Sequence, residues 1–310
     1  MAENAAPGGG SATKRKQWPW YWRVLRILLL AYFGLLLFLY FAQKRFIFPG
    51  ASMTQGKPYS RMSAPANSAV DGELLTLTTS KGDKVAALFG GALTAERKAH
   101  PNAAHRPTVI FFYGNAMCLK DARQQFDDFR MLGVNVLIPE YAGYGMSEGD
   151  AGESSCYATA DAAFDYLLTR NDIDPKKIIA SGWSLGSAVA IDLAARKAVA
   201  GLVTFSAFSR MAEMGHSTFP IVPTFLVSFI LSHKFENMRK IADVKCPILV
   251  GHSRADSMIP YSMSDQLAAA ATAPVERLTI ENADHGDFFD RGGEKVMRSI
   301  GAFFERIAAQ

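Results

Sequence analysis

The chain has 310 residues, 33 basic and 29 acidic side chains and a net charge of +4, and 49% of its residues are hydrophobic. This length and composition suffice for one large α/β core plus an appendage, and the mild charge excludes the broad basic surface of a nucleic-acid-binding protein. Three scattered cysteines, Cys118, Cys156 and Cys246, are too few for a disulfide framework or a zinc site, so we expect no metal and no cofactor.

The N-terminal segment predicts a tail followed by a membrane anchor. Residues 1–22 contain small polar residues and three consecutive cations at 14–16, a composition typical of a disordered cationic tail. Residues 24–42 are apolar except for Arg26, and this run falls within the roughly 17–25 residues that cross a bilayer. Aromatic residues flank it on both sides, as interfacial belts do. We therefore predict a transmembrane anchor at residues 23–43.

Two other interpretations of the apolar run are weaker. A signal peptide has an apolar core of roughly 7–15 residues, and residues 40–43 form a poor cleavage site. A buried core helix fits badly with a segment that is apolar on all sides and follows a triplet of cations. Five cations precede the apolar run or lie at its start, and four follow it. This difference favours a cytoplasmic N-terminus. We therefore expect a single-pass membrane protein whose catalytic domain lies on the non-cytoplasmic side.

Beyond Phe46, strand-like and helix-like segments alternate. Apolar runs predict strands at Leu74–Thr78, Val85–Phe89, Thr108–Phe112, Val134–Pro139, Lys177–Ser181, Val203–Phe205, Cys246–Val250 and Glu276–Ile280. Helical spacing predicts helices at Asp121–Leu132, Tyr157–Leu168, Leu185–Arg196, Pro260–Ala271 and Glu294–Ala308. Continuous apolar strands between amphipathic helices are typical of a mostly parallel sheet covered on both faces. The pattern predicts one α/β domain at residues 44–310.

The segment Gly182-Trp183-Ser184-Leu185-Gly186 matches the pattern G-x-S-x-G between a predicted strand and a predicted helix. In this context the glycines allow an abrupt turn that leaves the serine hydroxyl exposed above the sheet, near a helix N-terminus. An ordinary tight strand–helix turn is the alternative. We predict that Ser184 is a catalytic nucleophile.

The acid and the base should follow this serine in chain order, at the ends of later strands. Asp256 lies in the loop after the strand at 246–250, although a helix-capping or turn aspartate is the alternative. Of the six histidines only His285 follows Asp256, so elimination selects it. The neighbouring Asp284 is interpreted as a surface or loop charge. In these roles His285 is the base, and the Asp256 carboxylate holds the imidazole in the required tautomer.

An oxyanion hole requires two backbone N–H groups. The residue after the nucleophile, Leu185, should supply one. The loop after the strand at 108–112 should supply the other, and Gly114 allows the backbone to turn there, so the N–H of Asn115 is the best candidate. A plain turn residue is the alternative for Asn115.

Several further motifs match one known family. In chain order they are Phe46–Pro49, Phe111–Ala116, Glu140–Gly149, Gly182–Ser187, Ser206–Ser209, Phe219–Pro220, Lys234–Glu236, Cys246–Leu249 and Ala283–His285. With them the sequence resembles the α/β-hydrolase superfamily, and more narrowly the membrane-anchored serine hydrolases of the Bem46-like type and of the α/β-hydrolase-domain-containing types 13 and 17. The resemblance implies an α/β-hydrolase fold with a short helical lid, at about 207–242, and a Ser-Asp-His triad.

The sequence departs from that family at positions close to the predicted site. Tyr113 stands where the family usually has histidine, Glu140 and Ala142 where it has aspartate and arginine, and Ser253 where it has glycine. None of these positions belongs to the triad. Because the usual histidine helps to fix the oxyanion loop, we expect Tyr113 to reshape it and to affect catalytic efficiency rather than the class of reaction.

These features predict hydrolysis of a carboxylic ester or thioester, with a small-molecule or lipid-like acyl substrate. The lid's apolar side chains fit either plain core packing or an acyl-binding groove near the bilayer. They are Phe219, Pro220, Ile221, Val222, Phe225, Leu226, Val227, Phe229, Ile230 and Leu231. A serine aminopeptidase-like amidase is an alternative that needs a lid carboxylate for the peptide amine, for which only Glu213 and Glu236 are available. An inactive membrane-tethered scaffold is the second alternative.

Overall fold

The computed structural model describes residues 19–310, so most of the predicted tail lies outside the described residues. The chain divides into two compact units after Phe41. The N-terminal unit contributes most of helix α1, Trp20–Ile47, whose most apolar 18-residue stretch has a mean hydropathy of 2.3. By length and composition this helix can cross a membrane, and it contains the predicted anchor.

The second unit is built on an eight-stranded sheet. The strands are β1 Glu73–Thr78, β2 Lys84–Gly90, β3 Thr108–Phe112, β4 Asn135–Pro139, β5 Ile178–Trp183, β6 Gly201–Phe205, β7 Ile248–Ser253 and β8 Val275–Ile280. Their order across the sheet is β1-β2-β4-β3-β5-β6-β7-β8. Only β1–β2 and β2–β4 pair in antiparallel fashion. The central strands are apolar and buried along their whole length, as expected for a sheet covered on both faces.

Helices cover the sheet and cap its edge. They are α2 Pro49–Thr54, α3 Ser68–Asp71, α4 Arg123–Met131, α5 Glu153–Thr169, α6 Leu185–Arg196, α7 Met211–Thr218, α8 Thr224–Ile230, α9 Asn237–Ile241, α10 Tyr261–Ala270 and α11 Phe288–Ala308. Helix α6 is buried over almost its full length, because it packs against strands on one side and helices on the other. The predicted mostly parallel α/β fold is confirmed.

Two helices begin earlier than the sequence predicts. Helix α5 starts at Glu153, four residues before the predicted Tyr157. Helix α11 has an additional N-terminal segment that starts at Phe288, and Gly293, with a φ of 42°, separates this segment from the predicted helix at Glu294–Ala308. A glycine pair at 292–293 hides the first turn from a periodicity argument, because glycine weakens the helical signal.

The chain between β6 and β7, where the sequence predicts a lid at about 207–242, carries helices, and we keep the name lid for this segment. Helices α7, α8 and α9 lie in this segment. Val222 and Val227 are buried and therefore belong to the core. Ile221, Phe225 and Phe229 are exposed, so core packing does not account for them.

Candidate active site

A strained turn between β5 and α6 presents the predicted nucleophile. Ser184 has a φ of 56° and a ψ of −119°, in a region that costs a non-glycine residue about 1–3 kcal/mol. A Cβ at Gly182 would lie 2.1 Å from the carbonyl oxygen of Gly186, and one at Gly186 would lie 1.9 Å from the carbonyl oxygen of Phe112. Only glycine fits either position, so the pattern G-x-S-x-G has here the steric reason that the sequence predicts.

The structure brings the three predicted side chains together. The Ser184 hydroxyl lies 3.0 Å from Nε2 of His285, and Nδ1 of His285 lies 2.9 Å from Oδ2 of Asp256. All three residues are at most 8% exposed. Asp256 follows β7 and His285 follows β8, and the carboxyl ends of parallel strands share one edge of the sheet with the end of β5. Residues 101 positions apart in the chain therefore meet.

Asp256 is held as a carboxylate by four donors. Its Oδ1 accepts hydrogen bonds from the backbone N–H groups of Met258, at 3.0 Å, and Ile259, at 2.8 Å. Its Oδ2 lies near His285 and also 3.2 Å from Nε2 of His252. Burial favours the neutral acid, but the hydrogen bonds from His252, His285 and Ile259 outweigh it and hold the pKa of Asp256 far below its usual range.

His252 is a residue of this site that the sequence does not single out. Its ring is almost fully buried behind Asp256, and its Nδ1 contacts the hydroxyl of Ser264. Its Nε2 faces both Asp256 and the carbonyl oxygen of Ile259, which is 3.0 Å away. Two acceptors at Nε2 place the proton on that nitrogen, so Nδ1 accepts from Ser264. The feature of the sequence that could have identified His252 is its position at the end of β7, four residues before the predicted acid.

Asp284 is exposed, as the sequence predicts for a surface charge, but it also joins two loops of the site. Its Oδ1 accepts from the backbone N–H of Ser257 at 2.9 Å, from the hydroxyl of Ser257 at 2.8 Å and from the N–H of His285 at 2.7 Å. These bonds lower the pKa of Asp284. The carboxylate thus connects the loop of Asp256 to the loop of His285.

The indole of Trp183 stacks on the imidazole of His285. Their ring centroids are 5.5 Å apart and their planes are inclined by 27°. Trp183 occupies a variable position of the G-x-S-x-G pattern, so the turn that carries Ser184 also places an indole against the His285 ring.

The two predicted oxyanion donors flank the serine. Leu185 is the first residue of α6, and Asn115 follows Gly114, whose Cβ, if present, would lie 3.7 Å from Cβ of Ser184. Within residues 19–310, neither backbone N–H has a hydrogen-bond acceptor. The Asn115 side chain is engaged elsewhere, since its Nδ2 donates to the carbonyl oxygen of Ile47 at 3.3 Å. In the same range, no group of three or more histidine, cysteine or acidic side chains could hold a metal ion.

Comparison with known proteins identifies the family. The dienelactone hydrolase family matches residues 145–299. An uncharacterised Mycobacterium tuberculosis protein is 29% identical over 286 residues, which cover 92% of this chain and 95% of that protein. The human α/β-hydrolase domain-containing protein 17B is 31% identical over 225 residues, 69% of each chain. The chain belongs to the α/β-hydrolase superfamily. An esterase of Pyrococcus furiosus shares the fold, with a TM-score of 0.62 at 18% identity over 79% of this chain and 95% of that one.

As a member of the α/β-hydrolases this protein is a hydrolase, and it buries the side chains of Tyr113 and Glu140, two of its departures from the family pattern. Tyr113 is fully buried, and its ring packs on Tyr141 at a centroid distance of 4.9 Å. The hydroxyl of Tyr141 donates to the carbonyl oxygen of Tyr113 at 2.8 Å. The hydroxyl of Tyr144 donates to the backbone carbonyl oxygen of Asn115 at 3.1 Å. A layer of tyrosines therefore fixes this loop in the place of the usual histidine.

The second departure, Glu140, buries a carboxyl group at the end of β4. Its Oε1 accepts from the N–H of Leu119 at 2.9 Å, and its Oε2 accepts from the N–H of Met146 at 2.6 Å. Burial raises the pKa of Glu140 to about 7, because it exceeds the opposite effect of these hydrogen bonds. Glu140 connects the loop after β3 to the loop at 141–147.

Glu140→Gln should weaken the pH dependence of stability. Because the folded-state pKa of Glu140, about 7, exceeds the usual 4.5, folding favours the protonated form. The contribution of Glu140 to the free energy of unfolding is therefore highest below pH 4.5 and falls as the pH rises to 7, by about 3 kcal/mol. The measurement is the unfolding temperature at several pH values in this interval. Glu148→Gln, an exposed carboxylate nearby, is the matched control and should retain the wild-type slope. A Glu140→Gln slope equal to wild type would contradict the assignment.

Proposed function

We propose that this hydrolase is a membrane-anchored serine esterase, which cleaves carboxylic ester or thioester bonds through an acyl-enzyme. The observation that carries the proposal is the continuous series of hydrogen-bond contacts from Ser184 through His285 to Asp256. A serine hydroxyl is a poor nucleophile at neutral pH and needs a base within hydrogen-bond distance. Here the imidazole meets that requirement, and the Asp256 carboxylate fixes its tautomer.

The proposed reaction has two halves. Ser184 Oγ attacks the acyl carbon while its proton passes to Nε2 of His285, and the backbone N–H groups of Asn115 and Leu185 stabilise the oxyanion. The tetrahedral intermediate then collapses, and His285 returns the proton to the departing alcohol or thiol. Water attacks the acyl-enzyme in the same way, with His285 again as base, and releases the carboxylic acid and the free serine.

The arrangement of the lid acids disfavours the amidase alternative. Glu213 accepts a hydrogen bond from the hydroxyl of Ser209 at 2.7 Å and lies 3.9 Å from Arg210. Glu236 lies 3.8 Å from the same guanidinium. A carboxylate that binds a peptide amine needs its charge directed at the substrate, whereas both of these are paired within the lid. Turnover of an aminoacyl anilide faster than that of the matched ester would reverse this ranking.

We expect the ester activity to increase with acyl chain length up to medium chains. No Asp, Glu, Lys or Arg occurs between residues 214 and 233 of the lid, so the lid offers apolar surface to a substrate. Each methylene that the substrate buries adds about 0.8 kcal/mol, close to fourfold in kcat/KM. The measurement is kcat/KM for p-nitrophenyl esters from acetate to decanoate. A maximum at acetate with a steep decline would indicate a small closed pocket and would contradict the preference.

We expect a form that starts at Ala42 to lose membrane association and to keep its esterase activity. The second compact unit begins at Ala42, and all site residues lie within it. A form that starts at Lys44, at the boundary predicted from the sequence, is the informative comparison, because it lacks Gln43. This side chain donates to the carbonyl oxygen of Ile230 and accepts from the N–H of Ser232. Loss of two such bonds should destabilise it by about 1–3 kcal/mol.

Flotation with lipid vesicles and turnover of p-nitrophenyl acetate are the measurements for this pair. An Ala42 form that floats as completely as the full chain would contradict the anchor. A folded but inactive Ala42 form would show that the anchor helps to build the site.

The proposed orientation has the catalytic unit on the non-cytoplasmic side. It rests on the excess of cations before the apolar run. Protease protection in sealed vesicles of known sidedness tests it, since digestion of the catalytic unit from the cytoplasmic face would reverse the assignment.

A further inference from the structure

Helix α8 of the lid exposes two phenylalanines on one face. Phe225 is 71% exposed and Phe229 is 84% exposed, and residues four positions apart lie on the same side of a helix. Val227 points the other way and is buried. We refer to the surface formed by Phe225 and Phe229 as the lid face.

The chemistry around the lid face differs from that of an ordinary water-exposed surface. Residues 214–233 contain no Asp, Glu, Lys or Arg, although 20% of the whole chain is charged. Single exposed apolar residues are common in soluble proteins, but paired aromatic rings on an uncharged segment mark an interaction surface. An uncharged surface with aromatic side chains complements a lipid bilayer, where such rings prefer the interface.

Contacts within the second unit connect the lid to the end of α1. The side-chain amide of Gln43 donates to the carbonyl oxygen of Ile230 at 3.2 Å, and its oxygen accepts from the N–H of Ser232 at 2.7 Å. The ring of Phe46 meets that of Phe219 at a centroid distance of 5.8 Å. Both ends of the α8 region are therefore held by residues of the α1 C-terminus.

The contacts of the lid with Gln43 indicate which surface the lid face meets. Gln43 directly follows the apolar run at residues 24–42, so in an inserted protein it lies at the membrane surface. A lid that is bonded to Gln43 lies at the same level. We propose that the lid face docks into the bilayer interface and gives the catalytic unit a second membrane contact besides the anchor. This inference rests on the proposed membrane anchor and is independent of the proposed esterase activity.

The test places a nitroxide spin label at the lid face of the full chain in phosphatidylcholine vesicles. Phe225→Cys and Phe229→Cys introduce the label sites, and the three native cysteines are buried. The matched control is Leu168→Cys, which also replaces an exposed apolar residue. Leu168 lies near the end of α5, which leads to the N-terminal end of β5, whereas the lid follows the C-terminal end of β6, so the two lie toward opposite ends of these parallel strands.

Collision of the label with oxygen, which concentrates in lipid, is compared with collision with a water-soluble nickel chelate. We expect labels at 225 and 229 to lose collisions with nickel and gain collisions with oxygen relative to the label at 168. Vesicle-bound protein whose lid labels are as accessible to nickel as the control would overturn the lid proposal alone. Labels shielded from both reagents would indicate contact with a second copy of the chain and would also overturn it. Protein that fails to float with vesicles would overturn the anchor and the lid proposal together.

Discussion

Ser184→Ala should abolish covalent labelling by a fluorophosphonate probe and lower kcat by roughly 10⁴–10⁶-fold. The probe reacts only with a serine that a neighbouring base activates, and the proposed base, Nε2 of His285, lies 3.0 Å from Oγ. Alanine keeps the backbone and fills nearly the same volume, so the fold should survive. Residual turnover above the uncatalysed rate would come from the oxyanion donors and from substrate binding.

Ser187→Ala provides the matched control for this experiment. Ser187 belongs to the same turn, but its hydroxyl shares one proton between the carbonyl oxygens of Gly182, at 2.8 Å, and Phe205, at 2.9 Å, and accepts from the N–H of Phe205 at 3.2 Å. Its loss should cost about 1 kcal/mol of stability and leave probe labelling intact. A folded Ser184→Ala protein that still reacts with the probe would remove Ser184 as the nucleophile.

The groups proposed to act directly could be predicted from the sequence, because chain order and steric limits leave few residues that could fill their roles. The turn at Ser184 needs glycines on both sides, and only one histidine follows Asp256. Parallel strands then bring their carboxyl ends to one edge, so a linear order becomes a spatial cluster. The central strands β3 to β7 could be predicted for a related reason, since buried parallel strands are continuous apolar runs.

The residues that support these groups, His252 and Asp284, could not be predicted in that way. Their contacts depend on loop conformations that no sequence periodicity encodes. His252 reaches Asp256 only through the turn at 254–259, and Asp284 reaches Ser257 only when two loops after different strands approach each other. The lid illustrates a different reason. Core packing and an exposed interaction surface can both use apolar residues, so the sequence alone does not distinguish Val227 from Phe229. The fold does, because Val227 is buried and Phe229 is exposed.

Asp256→Asn should lower kcat by about 10⁴-fold without unfolding the protein. Two backbone N–H groups, of Met258 and Ile259, point at Oδ1, so the amide oxygen of asparagine must take that position. The amide NH₂ then replaces Oδ2 and faces Nδ1 of His285. Because an NH₂ group donates, Nδ1 must accept, and the imidazole proton moves to Nε2. A protonated Nε2 cannot remove the proton of Ser184.

The rate of fluorophosphonate labelling and kcat are both measured for this variant. His252→Gln is the informative control, because it changes a group that contacts Asp256 but leaves the carboxylate and the tautomer of His285 in place. We expect it to lower kcat far less than Asp256→Asn does. Activity within tenfold of wild type in a folded Asp256→Asn protein would mean that another group orients the base, and the short distance between Asp256 and His285 would then be structural rather than catalytic.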